Sequence, residues 1–362
     1  MTELLIALPY LIIGGLLGAT LNYFQFGFSS SFRSLIVEKN TLGFRALLWM
    51  LGLAIILFAP LLAMGNLQQH DYMGFIRPLS LAIPIGAFLF GIGMQIGCGC
   101  TSGTLNRVGQ LQPLSFTTLI FMILGGTIAA YSFNNWQWLP ALEPFAFQLE
   151  FGYLPGLVIQ LIILFTLYQL LVKYERKRTG SLELITTKKW QLTGAHPFLI
   201  AALLLAVFNA LLLLVTGRPW SISSVFPLWG TSFIEFLDMP LEWRFWDYSQ
   251  QNTITLNQGV LENTVSLTTI GVILGALLVS VIHPRAKIKV TSTGVLMSIF
   301  GGTIMGFGAV MASGCNIGAF FSGVASGSLH GWVWLIFALL GNILGLKVRA
   351  QFIKKCPIKD SK

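Results

Sequence analysis

Two cysteines, Cys100 and Cys315, stand in matching surroundings 215 positions apart. Each follows a glycine (Gly99, Gly314) and precedes another by three positions (Gly103, Gly318). Neutral hydrogen-bonding residues accompany them: Thr101 and Ser102 in the first stretch, Asn316 in the second, with Cys98 just upstream of Cys100. A thiol is a weak donor and a polarizable contact. Glycines let backbone approach a ligand closely and bare its N–H groups. Neither stretch contains Asp or Glu, the residues a Na⁺ or proton relay within a membrane would want. Soft thiols among neutral donors suit a sulfur-bearing anion. The candidate ligand-binding residues are therefore Cys98, Gly99, Cys100, Thr101, Ser102, Gly103, Gly314, Cys315, Asn316 and Gly318. Two blander readings stay open. The cysteines can be small buried hydrophobes, or Cys98 and Cys100 can hold a soft metal, although Met94 alone stands nearby and no His lies in the motif. The four histidines fall near the ends of apolar runs, so no nucleophilic triad, enzyme or cofactor is expected. Cys356 sits in a basic tail and reads as incidental.

The elements that position these residues are long apolar runs. Hydrophobic residues make up 55% of the 362 and charged ones 10%, whereas a soluble domain carries roughly a quarter charged. The outer surface must then face lipid. The runs are about twenty residues long and do not alternate, which is the signature of spanning helices rather than of a β-barrel. A helix also satisfies every backbone group where water is missing. The fold class expected is an all-α integral membrane protein, a single transmembrane domain over 1–362 with about nine spans. They are placed at 4–24, 43–65, 78–96, 113–133, 153–172, 197–215, 266–282, 293–311 and 332–347. The first lacks a basic leader and a small-residue cleavage site and reads as a span, not a signal peptide.

Charge sets the orientation. With the amino terminus outside, 19 Lys and Arg fall on the inner side and only Arg77, Arg218 and Arg244 outside. Excess Lys and Arg mark the cytoplasmic face, so the carboxyl terminus is expected inside, with a basic loop at 173–196 and a basic tail at 348–362. The net charge of +9 is thus an orientation signal rather than a nucleic-acid footprint. The long outer stretch 217–263 is rich in aromatics, and its part 221–236 can lie at the interface or dip inward.

The cysteine motifs belong to a longer repeat, spanning 85–129 and 300–345. At the same offset Gly86, Gly91 and Gly93 meet Gly301, Gly306 and Gly308. One residue is then inserted, and Leu119, Ile120, Phe121 and Gly125 meet Leu335, Ile336, Phe337 and Gly341. Given the topology, the two copies run in opposite directions across the membrane. Inverted repeats are a recurring transporter plan, with the substrate site at their interface near the midplane. After each motif comes a stretch, 101–110 or 316–328, too short to cross and too apolar for an ordinary loop. Each is expected to be a re-entrant turn or half-helix.

In the motifs GIGMQIGCGCTSGTLNRVGQ (91–110) and GFGAVMASGCNIGAFFSGVASGSLHGW (306–332), and along nearly the whole chain, the sequence resembles the YeeE/YedE family of membrane proteins. The second motif is most like the YedE branch, associated with sulfur and selenium metabolism. The resemblance implies nine spans plus short re-entrant helices in an hourglass, in a bacterial inner (plasma) membrane. It implies transport of thiosulfate or a related species handed between thiols, with Cys100 and Cys315 as two of them. The family places a third cysteine after the first helix, and here Gly27 stands in its place. The expected function is a permease for a small sulfur-containing anion. The alternatives are a sulfur relay that loads a persulfide onto a cytosolic carrier protein, and a soft-metal channel. No ATP-binding motif is present, so direct ATP drive is not expected.

Overall fold

A computed structural model of the chain describes residues 2–67, 70–185, 195–239, 243, 245 and 259–352. Helices dominate: α1 (Thr2–Tyr23), α2 (Phe28–Arg33), α3 (Leu42–Met64), α4 (Ala82–Ile96), α5 (Thr101–Gly109), α6 (Pro113–Tyr131), α7 (Phe147–Phe151), α8 (Tyr153–Thr179), α9 (Pro197–Thr216), α10 (Val225–Phe236), α11 (Thr264–Ile282) and α12 (Ser292–Met311). A short apolar helix, α13 (Asn316–Ala325), and a long one, α14 (Leu329–Phe352), complete the described chain. Among the described residues the only strand pairings are two two-residue ladders and an isolated bridge. Among the described residues eight helical segments, with α4 and α5 counted as one (Ala82–Gly109), are long and apolar enough to cross a membrane, or nine if the bent pair Ala7–Tyr23 and Phe28–Glu38 is one span. Large apolar side chains such as Leu154, Phe165 and Leu278 point outward, as a lipid-facing surface requires. The chain is an all-α, multi-span membrane protein.

The spans follow the apolar runs, with informative differences. Helix α8 continues to Thr179 and carries Arg176, Lys177 and Arg178 in its last turn, so the start of the expected basic loop is helical. Basic residues are good helix formers and favour a helix C-terminus. Residues 186–194 of that loop, and Cys356 with the tail from 353, lie outside the described residues. Within the stretch 221–236, residues 225–236 form α10, whose first half is buried against α6.

Small residues set the packing. Helices α1 and α11 are in backbone contact: a methyl built on Gly18 would lie 2.0 Å from the Val272 carbonyl, and one on Gly275 1.9 Å from that of Gly15. The central four helices show a reciprocal pattern. Gly86 touches Gly308 while Gly93 touches Gly301, so α4 and α12 run antiparallel. A methyl on Gly91 would strike the Ala338 carbonyl of α14 at 2.3 Å, and one on Gly306 the Met122 carbonyl of α6 at 2.0 Å. Likewise Gly125 abuts the Thr303 carbonyl and Gly341 that of Phe88, each at 2.1 Å. Every contact in this set has a counterpart under the sequence offset.

One end of the bundle gathers the basic residues. There Arg45, 1% exposed, is paired with Glu175 at 3.3 Å and donates to the Glu183 carbonyl at 2.5 Å. Glu175 also accepts from the Thr41 backbone N–H at 2.9 Å and from its hydroxyl. The buried charges are thus fully bonded, and removing one partner of such a pair costs about 3–5 kcal/mol. This network fixes α3 to α8 at what we call the basic end.

Candidate functional site

The two cysteine motifs fold alike. Helix α4 stops where Gly97 donates to the Gly93 carbonyl at 2.8 Å and Gly99 to that of Met94 at 3.1 Å. Helix α12 stops the same way: Ala312 donates to Gly308 at 2.9 Å and Gly314 to Ala309 at 2.8 Å. Between them the chain takes a left-handed residue, Cys98 with φ 59° and Ser313 with φ 53°, a costly conformation for non-glycine residues. Both breaks are held by a side-chain donor. Arg107 donates to the Cys98 carbonyl, and Trp334 Nε1 to the Gly314 carbonyl at 3.0 Å. The chain then starts a new helix with cysteine as the N-cap. Cys100 Sγ accepts from the Gly103 N–H and Cys315 Sγ from the Ile317 N–H, each at 3.4 Å. Each thiol therefore sits on the positive end of a short helix, α5 or α13.

The structure brings these two ends together. Ser102 Oγ lies 3.4 Å from Cys100 Sγ and accepts from Asn316 Nδ2, also at 3.4 Å. Cys315 is within electrostatic reach of Cys100, and Thr101 faces its thiol. Both cysteines are completely buried. Thr101 Oγ1 and Asn316 Oδ1 make no complete hydrogen bond. A buried polar atom without a partner is costly, and here two of them flank the thiols. Of the sequence candidates, Cys100, Thr101, Ser102, Cys315 and Asn316 form this cluster. Gly103 supports it through the bond to Cys100. Gly99 lies near Thr104 and Arg107, and Gly314 packs against Ala319. Gly318 turns its backbone N–H to the Cys315 thiol and its Cα side to Phe75 and Ser221. Cys98 is half-buried, and its thiol donates to the Ile96 carbonyl at 3.7 Å.

A cavity of about 1020 Å³ leads from the basic end to Cys98 and Cys100. Arg33, Arg107, Arg285 and Arg349 line it, against the acidic Glu38 and Glu183. Gly27 is in its wall as well, so the residue that stands in place of the family's third cysteine and Cys98 share one chamber. Sequence reasoning missed the amides of this wall. Gln110 Nε2 reaches Asn22 Oδ1 at 3.3 Å and Asn106 Oδ1 at 3.4 Å, and Gln95 Nε2 donates to Asn342 Oδ1 at 2.5 Å. Their signal was present: amides inside apolar runs are rare and face protein or water rather than lipid. At the rim His196 caps α9, its Nδ1 accepting from the Phe198 N–H at 3.0 Å. Burial holds this imidazole below its ordinary pKa, against the opposing pull of Glu183. Among the described residues no three His, Cys, Asp or Glu side chains are grouped to hold a metal ion.

Comparison with known proteins gives a consistent result. Residues 25–344 match the sequence profile of a family described as "Sulphur transport". The chain is 29% identical over 357 residues to the thiosulfate transporter TsuA of Spirochaeta thermophila, covering 92% of this chain and 96% of that protein. It is 25% identical to the TsuA of Escherichia coli, covering 91% of each. With the probable transporter YedE of Escherichia coli it shares 28% over 151 residues, covering 41% of this chain and 36% of the other.

Proposed function

Since this chain belongs to the sulphur transport (YeeE/YedE) family, we propose that it is a permease for a small sulfur-containing anion, with thiosulfate the leading cargo. The observation that carries this reading is the meeting of two thiol-capped helix ends in one buried polar cluster. Helix N-termini favour negative charge. Each thiol already accepts a backbone N–H, so its own S–H, which at Cys100 has Ser102 Oγ at 3.4 Å, can turn to a passing acceptor. The cluster holds no carboxylate that would repel an anion. The arginine-lined chamber lowers the electrostatic energy of an anion between the cluster and the basic end. Cargo passes from Cys315 to Cys100 by exchange of hydrogen bonds, with no covalent step, and leaves past Cys98.

The same reading takes the two motifs as an inverted repeat with the thiols near the membrane midplane. The reciprocal glycine contacts and the antiparallel α4 and α12 support it. The basic end is cytoplasmic and the amino terminus outside, in a bacterial inner membrane, as the 19-to-3 division of Lys and Arg favours. Two TsuA relatives named as thiosulfate transporters support the cargo.

Uptake of labelled thiosulfate by vesicles holding only the purified protein tests the proposal. Uptake that unlabelled thiosulfate competes away, and selenosulfate competes with if selenium species are also carried, is the expected result. A persulfide trapped on Cys100 without any uptake would replace the permease with a sulfur relay to a cytosolic carrier.

A further inference from the structure

At the end opposite the basic chamber, the segment between α3 and α4 folds over α13. The Phe75 N–H donates to Ser326 Oγ at 2.8 Å, and Met73 donates to the Gly217 carbonyl at 2.8 Å. This sets the Phe75 ring on Gly318, where a methyl would lie 3.2 Å from the ring edge. Gly318 is in the first turn of the helix that Cys315 caps, so the ring covers the approach to that thiol from this end. Two nitrogen-bearing groups pack against the same ring. The Arg77 guanidinium carbon lies over it at 4.7 Å from the centroid, and the His330 imidazole is tilted against it with centroids 5.8 Å apart.

We propose that Phe75 is a gate and that its ring fills an anion-binding site formed by Arg77 and His330, which opens when the ring swings away. The proposal rests on the permease reading for its cargo and on geometry for its gate. Among the described residues Arg77 is in no ion pair. Burial, with the positive charge of Arg218 nearby, holds its guanidinium below the ordinary pKa, which marks a cation short of counter-charge. His330 is completely buried, with Nδ1 2.6 Å from Ser328 Oγ and Nε2 without a partner. When Nδ1 accepts from the Ser328 hydroxyl, Nε2 carries the proton and is a donor with nothing to donate to. The imidazole shows the Phe75 ring a tilted face, with Nε2 beside Gly323, so once the ring leaves, a turn of the imidazole aims this N–H, together with the guanidinium, at a small oxyanion, which takes two donors at once. The ring is a sensible occupant while the site is empty, because a cation–π contact partly satisfies Arg77. An arriving anion competes for Arg77, and that loosens the ring and uncovers Cys315. Arg77 and His330 thereby select for negative charge before the thiols are reached.

The test is the rate at which a membrane-impermeant maleimide modifies Cys315 from the Arg77 side of vesicles, read by peptide mass spectrometry on the full chain. Phe75→Ala should speed that labelling by about tenfold or more, while labelling of Cys98 from the basic side is unchanged. Phe75→Trp should slow it. If Phe75→Ala does not fold, Phe75→Leu, which keeps apolar bulk, should give a smaller acceleration. In Phe75→Ala, where the gate is already open, thiosulfate should protect Cys315, and adding Arg77→Gln should demand at least about tenfold more of it, with Arg77→Lys between. Equal labelling in the Phe75 variants and the unmodified chain overturns the gate, whether or not transport continues. Acceleration in Phe75→Ala without protection by thiosulfate keeps the gate and removes thiosulfate as cargo. Protection unchanged in Arg77→Gln removes Arg77 from the site.

Discussion

The two halves of the central cluster share a backbone and differ in solvent. Around Cys100, helix α5 carries Thr104, Asn106 and Arg107 and borders the arginine-lined chamber. Around Cys315, helix α13 carries Ile317, Phe320, Phe321 and Val324, all completely buried, with Phe320 stacked on Trp334. The clamps differ too: a guanidinium holds the first break and an indole the second. The comparison teaches that the part common to both motifs is the frame, meaning the helix break, the left-handed residue and the thiol cap. The linings differ by end of the molecule, polar toward the basic end and apolar around α13.

The strongest challenge to this comparison removes each thiol in turn. Cys100→Ala and Cys315→Ala should each cut sulfur-anion uptake by about tenfold or more while the protein still folds, because a donor lost at a desolvated site is worth roughly 1 kcal/mol or somewhat more. Serine at either place keeps a donor and should fall between. If serine is as inactive as alanine, softness of the sulfur matters more than its proton. Cys356→Ala should transport normally, and normal uptake by both alanine variants of the cluster would remove the thiols from the mechanism.

Next in size is a test of the shared frame. Gly91→Val and Gly306→Val drive side chains into equivalent carbonyls and should each destabilise the protein by about 1–3 kcal/mol. Denaturation in detergent should give similar losses for the two, whereas a loss at only one would break the equivalence. The clamps sharpen the difference between halves. Trp334→Phe leaves the Gly314 carbonyl buried without a donor, at a cost of about 1–3 kcal/mol. Arg107→Met should cost less, since water in the chamber can reach the Cys98 carbonyl. The smallest effect concerns His196, which lies on the chamber side alone. Its pKa is held below the ordinary value, so the folded protein favours the neutral ring that accepts from Phe198. That contribution is complete above the unfolded pKa of about 6.5. It declines as pH falls below that value, because the unfolded chain takes the proton first. Thermal stability should therefore sag slightly in mild acid, and His196→Asn, which can still cap, should flatten the profile.

Much of this architecture was legible in the sequence because its signals are local or periodic. Apolar runs of span length gave the helices, and the offset between glycine-cysteine motifs pointed to Cys100 and Cys315 as a pair. The short polar stretches after them did become α5 and α13. What stayed hidden depends on contacts between distant segments that no local pattern encodes. The Phe75 segment gives no sign of lying on Gly318, more than 200 positions away. Gln95 and Asn342 look like isolated amides until the fold pairs them. Arg107 was read only as a topological charge, although it holds the helix break at Cys98. Helix α8 outran its expected end because a helix does not stop where the bilayer does.

The glycine contacts in the central four helices carry a kinetic consequence. Surfaces keyed backbone to backbone, with carbonyls seated where side chains would be, have no lubricating layer of rotamers to slide over. Large rocking of one repeat against the other, the motion common in inverted-repeat transporters, would have to unseat all of those contacts together. The moving parts are then aromatic rings and short loops, which rearrange within roughly nanoseconds to microseconds rather than the microseconds to milliseconds of domain motion. Turnover in such a frame should depend only shallowly on temperature. An Arrhenius slope as steep as that of a rocking carrier would show that the frame does come apart.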